Sequence, residues 1–539
     1  MKLFGKKDPM AAGRGSKKRF TVRFPFTGSP IPPTWKDVDK YALNAPFAYA
    51  VIAEDSGSGA RKYFLDEVPL TPREAAIYTY LLESLESELT VPRSNVDPRA
   101  YFREQAKRVV TKYSIRAPQM SWPKIFYFAE RDLVGFGALD ALMRDPHIED
   151  ISADGVNKPL FVYQRRYENL ETNVTFRDDE TLDNLLSRLA HMAGKHISTA
   201  YPIVQGTLPG RHRLSGTFRR EVSPYGGTFT IRKFREDPLT IIDMLNFNVI
   251  DHNLAGYVWF MMENRATAIV AGATGSGKTT LLNSLLTLTR MNNKIVTIEE
   301  VQEINIAHSN WTALVSRESY GTIEDAGRGV GLFELVKTAM RMRPDILVVG
   351  EVRGEEAYVL FQAIATGHGG VCTLHADDVT SSIQRLTSKP MDVPASFIPF
   401  LDMVVTVRRI ALPALGGGFR TVRRVLALDE VATVGNYVRM FKWDPVTDTH
   451  SATQLGKSVK LSRLARDTGL SLPDIISEIN KRGLVLKWMQ QKGIRNFREI
   501  TYLFEEYRSR GDELYQRVVS DLGKAGMAIE AELEQGVKL

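Results

Sequence analysis

The stretch Gly272-Ala273-Thr274-Gly275-Ser276-Gly277-Lys278-Thr279-Thr280 has the residue types and spacing of a loop that holds nucleotide phosphates. Its glycines let successive backbone N–H groups converge on a polyphosphate, and a helix opening behind it adds the positive end of a dipole. Lys278 would reach the β- and γ-phosphates and the Thr279 hydroxyl would bind Mg²⁺. Hydrolysis asks for more: a carboxylate to activate water, a held metal, and positive charge opposite the leaving group. Ile346-Leu347-Val348-Val349-Gly350 ends in Glu351, the candidate general base. Ile295-Val296-Thr297-Ile298 runs into Glu299-Glu300-Val301-Gln302-Glu303, where Glu299 and Glu300 could meet the water shell of the metal. Thr373-Leu374-His375-Ala376 puts His375 at a further strand end, able to sense a γ-phosphate or orient a carboxylate.

Such groups work only if elements bring them to one place. Ala268-Ile269-Val270-Ala271 reads as the strand before the loop and Leu281-Leu282-Asn283-Ser284-Leu285-Leu286 as the helix after it. Continuous apolar runs that end in charge read as buried parallel strands, which present their carboxyl ends at one edge. From about Ile241 to Val407 strands alternate with helices, the pattern of a mainly parallel sheet covered on both faces. Upstream, Phe47 to Ala53 and Lys62 to Leu65 read as two strands of a small α+β domain. Thr71-Pro72-Arg73-Glu74 starts a helix through Leu89, and further helices are expected from Pro98 to Tyr113 and from Trp122 to about Met143. Ile148 to Phe234 reads as a second compact unit with strands, a helix in Thr181 to Gly194, and closing strands Leu214 to Phe218 and Thr228 to Arg232.

Composition narrows the setting. The chain has 539 residues, 43% of them hydrophobic, which is enough for several domains with sizeable cores. No apolar run approaches the roughly 18 residues that span a bilayer, and Met1-Lys2-Leu3-Phe4-Gly5-Lys6-Lys7 leads into no hydrophobic secretion segment, so a cytoplasmic location is expected. A single cysteine, Cys372, excludes an intramolecular disulfide and a multi-cysteine zinc site, and is expected as a small buried side chain. The formal charge of +7 is small for this length, so nucleic-acid coating is not expected. Lys2, Lys6, Lys7, Arg14, Lys17, Lys18, Arg19 and Arg23 nevertheless make residues 1–24 a basic mobile arm, which could touch anionic lipid. Leu461 to Gly483, interrupted by Gly469, faintly suggests a helix-turn-helix; lacking a groove-facing basic stripe, it reads better as a small helical bundle.

The phosphate loop, the acidic segment Ile298 to Glu303, Arg341-Met342-Arg343-Pro344-Asp345-Ile346 through Glu351-Val352-Arg353-Gly354, and Thr366-Gly367-His368 through His375 occur in the order of four boxes. They resemble the Walker A, Asp, Walker B and His boxes of the type II/type IV secretion superfamily ATPases. Ile148-Glu149-Asp150-Ile151-Ser152, Phe229 to Phe234 and Phe441-Lys442-Trp443-Asp444-Pro445 look most like the archaeal branch, whose members power pilus-like secretion systems and the archaellum. The resemblance implies a multidomain α/β fold: arm 1–24, N-terminal α+β domain 25–135, PAS-like second N-terminal domain 136–235, linker 236–240, RecA-like ATPase domain 241–440 with a mainly parallel sheet, and C-terminal helical region 441–539.

It further implies ATP and Mg²⁺ as cofactors and a homohexamer in which an N-terminal domain clamps over the neighbouring nucleotide site. Residues Gly272, Ala273, Thr274, Gly275, Ser276, Gly277, Lys278, Thr279 and Thr280 then bind nucleotide, with Thr279, Glu299 and Glu300 serving the metal. Glu351 is catalytic, Glu299 serves metal and water, and His375 couples the site to movement. Arginines reaching in from the N-terminal domain correspond best to Arg213 and Arg232, with Arg211 and Arg219 close by. Glu300 stands where aspartate is usual, and Gln205 where many relatives carry aspartate, so no role is carried over to Gln205.

The expected function is a motor peripheral to the cytoplasmic face of the membrane, acting through a polytopic platform protein to assemble pilin-like filaments. The first hundred or so residues are expected to hold the platform-binding surface. A DNA-translocating ATPase and a nucleotide-gated scaffold with little turnover are the alternatives; the scaffold would lack the carboxylate or the loop lysine, and both are present here.

Overall fold

The computed structural model describes residues 26–88, 97–317, 329–413 and 419–536, with side chains described up to Gly523 in the last helix. The expected arm 1–24 and the end of the helix at Leu89 lie outside them. The chain forms two compact units, one ending at Phe234 and one starting at Arg235.

The first unit contains strands β1 (Trp35–Asn44), β2 (Ala48–Asp55), β3 (Arg61–Glu67), β4 (Ile148–Ala153), β5 (Pro159–Gln164), β6 (Glu168–Thr175), β7 (Ile203–Leu208), β8 (His212–Thr217) and β9 (Thr228–Arg232). They make one nine-stranded sheet in the order β1-β2-β3-β6-β5-β4-β9-β8-β7. Every neighbouring pair is antiparallel except β3 and β6, which meet over only two rungs, Lys62 opposite Glu171 and Tyr63 opposite Thr172. Helices α1 (Pro72–Glu88), α2 (Pro98–Lys112), α3 (Trp122–Leu133), α4 (Asp140–Arg144) and α5 (Asp179–Met192) complete the unit. Thr71 and Glu74 exchange hydrogen bonds at the start of α1, a reciprocal cap that satisfies two otherwise orphaned donors.

Two expectations differ here. A single hydrophobic core runs from Ala48 to Ile231, so residues 25–135 and 136–235 share one sheet and one interior rather than forming separate domains. The helix expected from Trp122 to about Met143 stops at Leu133, and Gly137 just beyond takes a left-handed φ of +60° that a continuing helix cannot accommodate. The most deeply buried charges of this unit are paired. Arg131, buried, binds Glu67 at 2.9 Å and Asp132 at 2.8 Å, and Asp145 accepts from both Tyr41 and Tyr63.

The second unit holds β10 (Ala268–Ala271), β11 (Ile295–Glu299), β12 (Trp311–Val315), β13 (Ile346–Val349), β14 (Gly369–Leu374), β15 (Met403–Pro413), β16 (Phe419–Thr433), β17 (Asn436–Asp444) and β18 (Thr449–Ala452). Their order is β12-β11-β13-β14-β10-β15-β16-β17-β18. Pairs from β12 to β15 are parallel and the remainder antiparallel, the mainly parallel, RecA-like sheet that was expected. Its helices are α6 (Ile241–Asn246), α7 (His252–Glu263), α8 (Lys278–Leu286), α9 (Leu332–Met340), α10 (Glu356–Ala365), α11 (Val379–Thr387), α12 (Val459–Thr468), α13 (Leu472–Gln491) and α14 (Phe497–Gly536), the last kinked at Arg510 and Gly523.

Strand alternation explains the uninterrupted apolar runs. Ala268 and Val270 of β10 enter one core, whereas Ile269 and Ala271 enter the other. Cys372 is buried on β14, and the apolar surroundings push its thiol up to about 12.

The C-terminal helices are not a separate layer: Ile475, Ile479 and Leu486 of α13 share a core with Tyr257 and Trp259 of α7. The boundary expected at 440/441 falls inside β17, and the region expected to be helical also contains β18. Among the described residues, no helix is long and apolar enough to cross a membrane.

Candidate functional site

Parallel strands set the stage, because β10, β11, β13 and β14 all end at the same edge of the sheet. The phosphate loop leaves β10 there and turns into α8 through Gly275 at φ +72° and Gly277 at φ +93°, left-handed conformations that favour glycine. Ala273, Thr274 and Gly275 are exposed at the tip of the loop, Thr279 and Thr280 are half-buried in the first turn of α8, and Lys278 is buried. Lys278 Nζ donates to the Ala273 carbonyl at 3.0 Å and stands 3.5 Å from His375 Nε2. Burial lowers the affinity of this ammonium for its proton, with Glu351 pulling the other way.

His375 follows β14 and Glu351 follows β13, and the two meet: Nε2 of the imidazole lies 2.7 Å from Glu351 Oε1. Burial first, then the Lys278 ammonium, pushes the imidazole below its usual range, against the pull of Glu351. The second oxygen of Glu351 accepts from Arg353 Nη2 at 2.6 Å, and Arg353 Nη1 also contacts Glu300 at 3.4 Å. Lys278, His375, Glu351, Arg353 and Glu300 therefore form one continuous chain of polar contacts along the strand ends.

Glu299 stands apart from that chain although it ends β11. It is 3% exposed, its Oε1 accepts the backbone N–H groups of Glu303 and Ile304 at 2.8 and 3.0 Å, and its Oε2 is buried with no partner among the described residues. Burial pushes this carboxyl up to about 7. Gly350 leaves room beside it: a Cβ there would lie 3.0 Å from Glu299 Cγ, a tight contact. The adjacent Glu300 is half-exposed and held by Arg353, so the two glutamates of the acidic segment occupy different environments.

These residues fit a nucleoside triphosphate with Mg²⁺. Ser276 Oγ and Glu299 Oε2 are buried polar atoms with no partner among the described residues, at the loop and at the neighbouring strand end respectively. No group of three or more His, Cys, Asp or Glu side chains among the described residues could hold a metal alone, and Mg²⁺ characteristically takes one or two carboxylates plus phosphate oxygens. Thr279, in the first turn of α8, and Glu299 and Glu300, at the end of β11 and just after it, are the side chains expected to serve it.

Other expected residues lie elsewhere. His368 precedes β14, at the opposite end of that strand from His375, and its Nδ1 lies 2.8 Å from the Pro344 carbonyl oxygen. Arg213 and Arg232 face each other across the β8–β9 ladder of the first unit, where Arg232 pairs with Asp150 at 3.0 Å. Arg219 pairs with Asp183 at 3.0 Å and Arg211 lies over the Phe234 ring. One contact was unforeseen: Arg423 of β16 donates to the Gly275 carbonyl at 3.4 Å. It comes from nearly 150 positions downstream, and only the crowding of arginines around it was visible in the sequence.

A family model described as type II/IV secretion system protein matches residues 135–408. The chain is 32% identical over 451 residues to Uncharacterized protein MJ0900 of Methanocaldococcus jannaschii, covering 82% of this chain and 80% of that protein. It is 29% identical over 255 residues to Conjugal transfer protein TrbB of Rhizobium radiobacter, covering 46% of this chain and 73% of that one. Among solved structures, the Legionella pneumophila ATPase DotB matches with a TM-score of 0.39 and 17% identity over 67% of this chain and 92% of that one, an overlap too slight to carry an argument.

Proposed function

This chain belongs to the type II/IV secretion system protein family, and from that premise we propose that it is a Mg²⁺-dependent ATP hydrolase working as a homohexameric motor. It acts at the cytoplasmic face of the membrane, through a polytopic platform protein, to assemble or secrete type IV pilin-like filaments. The observation that carries the chemical part is the contact of Glu351 with His375 beside the buried loop lysine.

Each side chain then has a task. The loop amides and Lys278 would hold the phosphates, and the Thr279 hydroxyl with the Glu299 and Glu300 carboxylates would hold Mg²⁺. Glu351 takes the proton of the attacking water, oriented by His375 on one oxygen and Arg353 on the other. Mg²⁺, when bound, offsets the negative charge of the phosphate oxygens. Phosphoryl transfer asks mainly for positioning and electrostatics, and these are what the side chains would supply. His375 touches both the loop lysine and the base, which suits it to pass the state of the site to the rest of the unit. Arg213 and Arg232 are proposed to reach the nucleotide of a neighbouring subunit.

The platform surface is proposed to lie in the first hundred or so residues, with residues 1–24 reaching anionic lipid. Deleting that whole stretch is not a clean test, because it would remove β1 to β3 and α1 with the core residues Ile52, Tyr63 and Leu81. Removing residues 1–24 alone is the better variant; unchanged binding to anionic vesicles would defeat the lipid assignment.

The decisive experiment measures ATP hydrolysis and mass in solution together, with and without nucleotide, anionic vesicles and DNA. Turnover that rises with hexamer formation and vesicles supports the motor. The conjugal-transfer relative favours a second reading, a DNA-translocating ATPase, which predicts stimulation by DNA that fades with salt. ATP binding without turnover would instead leave a nucleotide-gated scaffold.

A further inference from the structure

The β15–β16 hairpin projects beyond the covered part of its sheet. Continuous burial ends at Val407 on one strand and at Arg424 on the other, and the described residues farther out are exposed or half-exposed. From Arg408 to Arg424 the sequence holds five arginines and no acidic residue. Arg424 is accounted for, since its guanidinium binds both oxygens of Asp448 at 2.6 and 2.8 Å.

Arg423 reaches back over the phosphate loop. Besides the long hydrogen bond to the Gly275 carbonyl, its Cδ would lie 3.1 Å from a Cβ placed on Gly277. Its direct partner across the ladder is Arg409, so two like charges occupy facing positions on the same side of the hairpin. A carbonyl at that distance offsets little of the Arg423 guanidinium's charge, and an anion between hairpin and loop would offset more.

Sheet order gives the anion its identity. β14 and β13, which carry His375 and Glu351, flank β10 on one side, and β15 and β16 lie on the other. The loop is thus bracketed by the acid–imidazole pair and by the arginine hairpin. We infer that Arg423 is a nucleotide-binding residue of its own subunit, its guanidinium forking onto oxygens of a nucleoside polyphosphate held in the loop, with Arg409 reinforcing the local positive potential. This rests on the nucleotide-binding reading above, and adds a cation supplied from the same chain as the loop.

The test is calorimetric titration of the full chain with Mg·ADP and Mg·ATP, comparing wild type with Arg423→Ala and Arg423→Lys and checking each fold by its thermal midpoint. Arg423→Ala should weaken both nucleotides roughly 10- to 100-fold, the scale of one hydrogen-bonded charge pair. Arg423→Lys should recover part of the loss, because lysine returns the charge without the fork. Raising the salt should narrow the gap between wild type and Arg423→Ala. Equal affinity of wild type and Arg423→Ala overturns the inference and leaves the nucleotide site standing. So does a loss that neither lysine nor salt alters, which would make Arg423 a support for the loop. A wild type that binds neither nucleotide overturns the site reading itself.

Discussion

Two sheets of nine strands each stand in this chain, and strand number is nearly all they share. In the first unit neighbouring strands alternate in direction except at β3 and β6, so strand ends that carry charge fall at both edges, and its most deeply buried charges are matched to partners, although Asp179 Oδ1 and Asp183 Oδ1 have none among the described residues. Arg131 with Glu67 and Asp132 is the clearest case. In the second unit the parallel half gathers a lysine, a histidine and three glutamates at one edge and leaves Ser276 Oγ and Glu299 Oε2 without partners among the described residues.

That contrast can be broken by exchange of effects. The largest should come from the first unit: Arg131→Ala strands Glu67 in the interior and is expected to lower stability by about 3–5 kcal/mol, read as a fall in the thermal midpoint. A small shift there would mean that the network is not structural. Next comes Glu351→Gln, which should bind ATP yet hydrolyse it at least about 100-fold more slowly in a phosphate-release assay, with its thermal midpoint nearly unmoved. Near-normal turnover would remove Glu351 from its role.

A smaller effect should be common to both units. Burial holds His450 in the second and His212 in the first at about 4, below the ordinary value near 6.5. An unfolded chain takes up those protons between pH 6.5 and pH 4 while the folded one excludes them, so stability is fully present above pH 6.5 and is lost as pH falls. His450→Gln should flatten that loss by on the order of 2 kcal/mol at pH 4 and change little at pH 7.5, measured as thermal midpoints across the range. Flattening by His450→Gln but not by His212→Gln would show that acid sensitivity also divides the units.

The chemistry was legible wherever it lay in local sequence. The phosphate loop, the runs before Glu299, Glu351 and His375, and their convergence follow from apolar strands ending in polar residues, and parallel direction does the rest. What escaped depended on pairing across distance. Arg423 reaches the loop only because β16 folds back along β15, and no spacing rule links it to Gly275. Glu299 and Glu300 read alike as neighbours, yet strand alternation buries one and gives the other to Arg353. The two expected N-terminal domains merged because β3 finds β6 more than a hundred positions away. Gly469, which hinted at a helix-turn-helix, ends α12 at φ +74°, and α13 beyond it is a core helix whose Ile475 and Ile479 are buried with Tyr257 and Trp259 of α7.

That junction of β3 and β6 has a consequence for how the first unit comes apart. Two rungs, the Lys62–Glu171 pair at 2.5 Å and the Asn173 amide bonded to both backbone groups of Leu65 join a three-stranded piece to a six-stranded one. Each piece keeps its own antiparallel ladders if the seam parts. Amide protons flanking the seam should therefore exchange with solvent earlier than those in the middle of either piece, so that the sheet opens along a line before it unravels strand by strand.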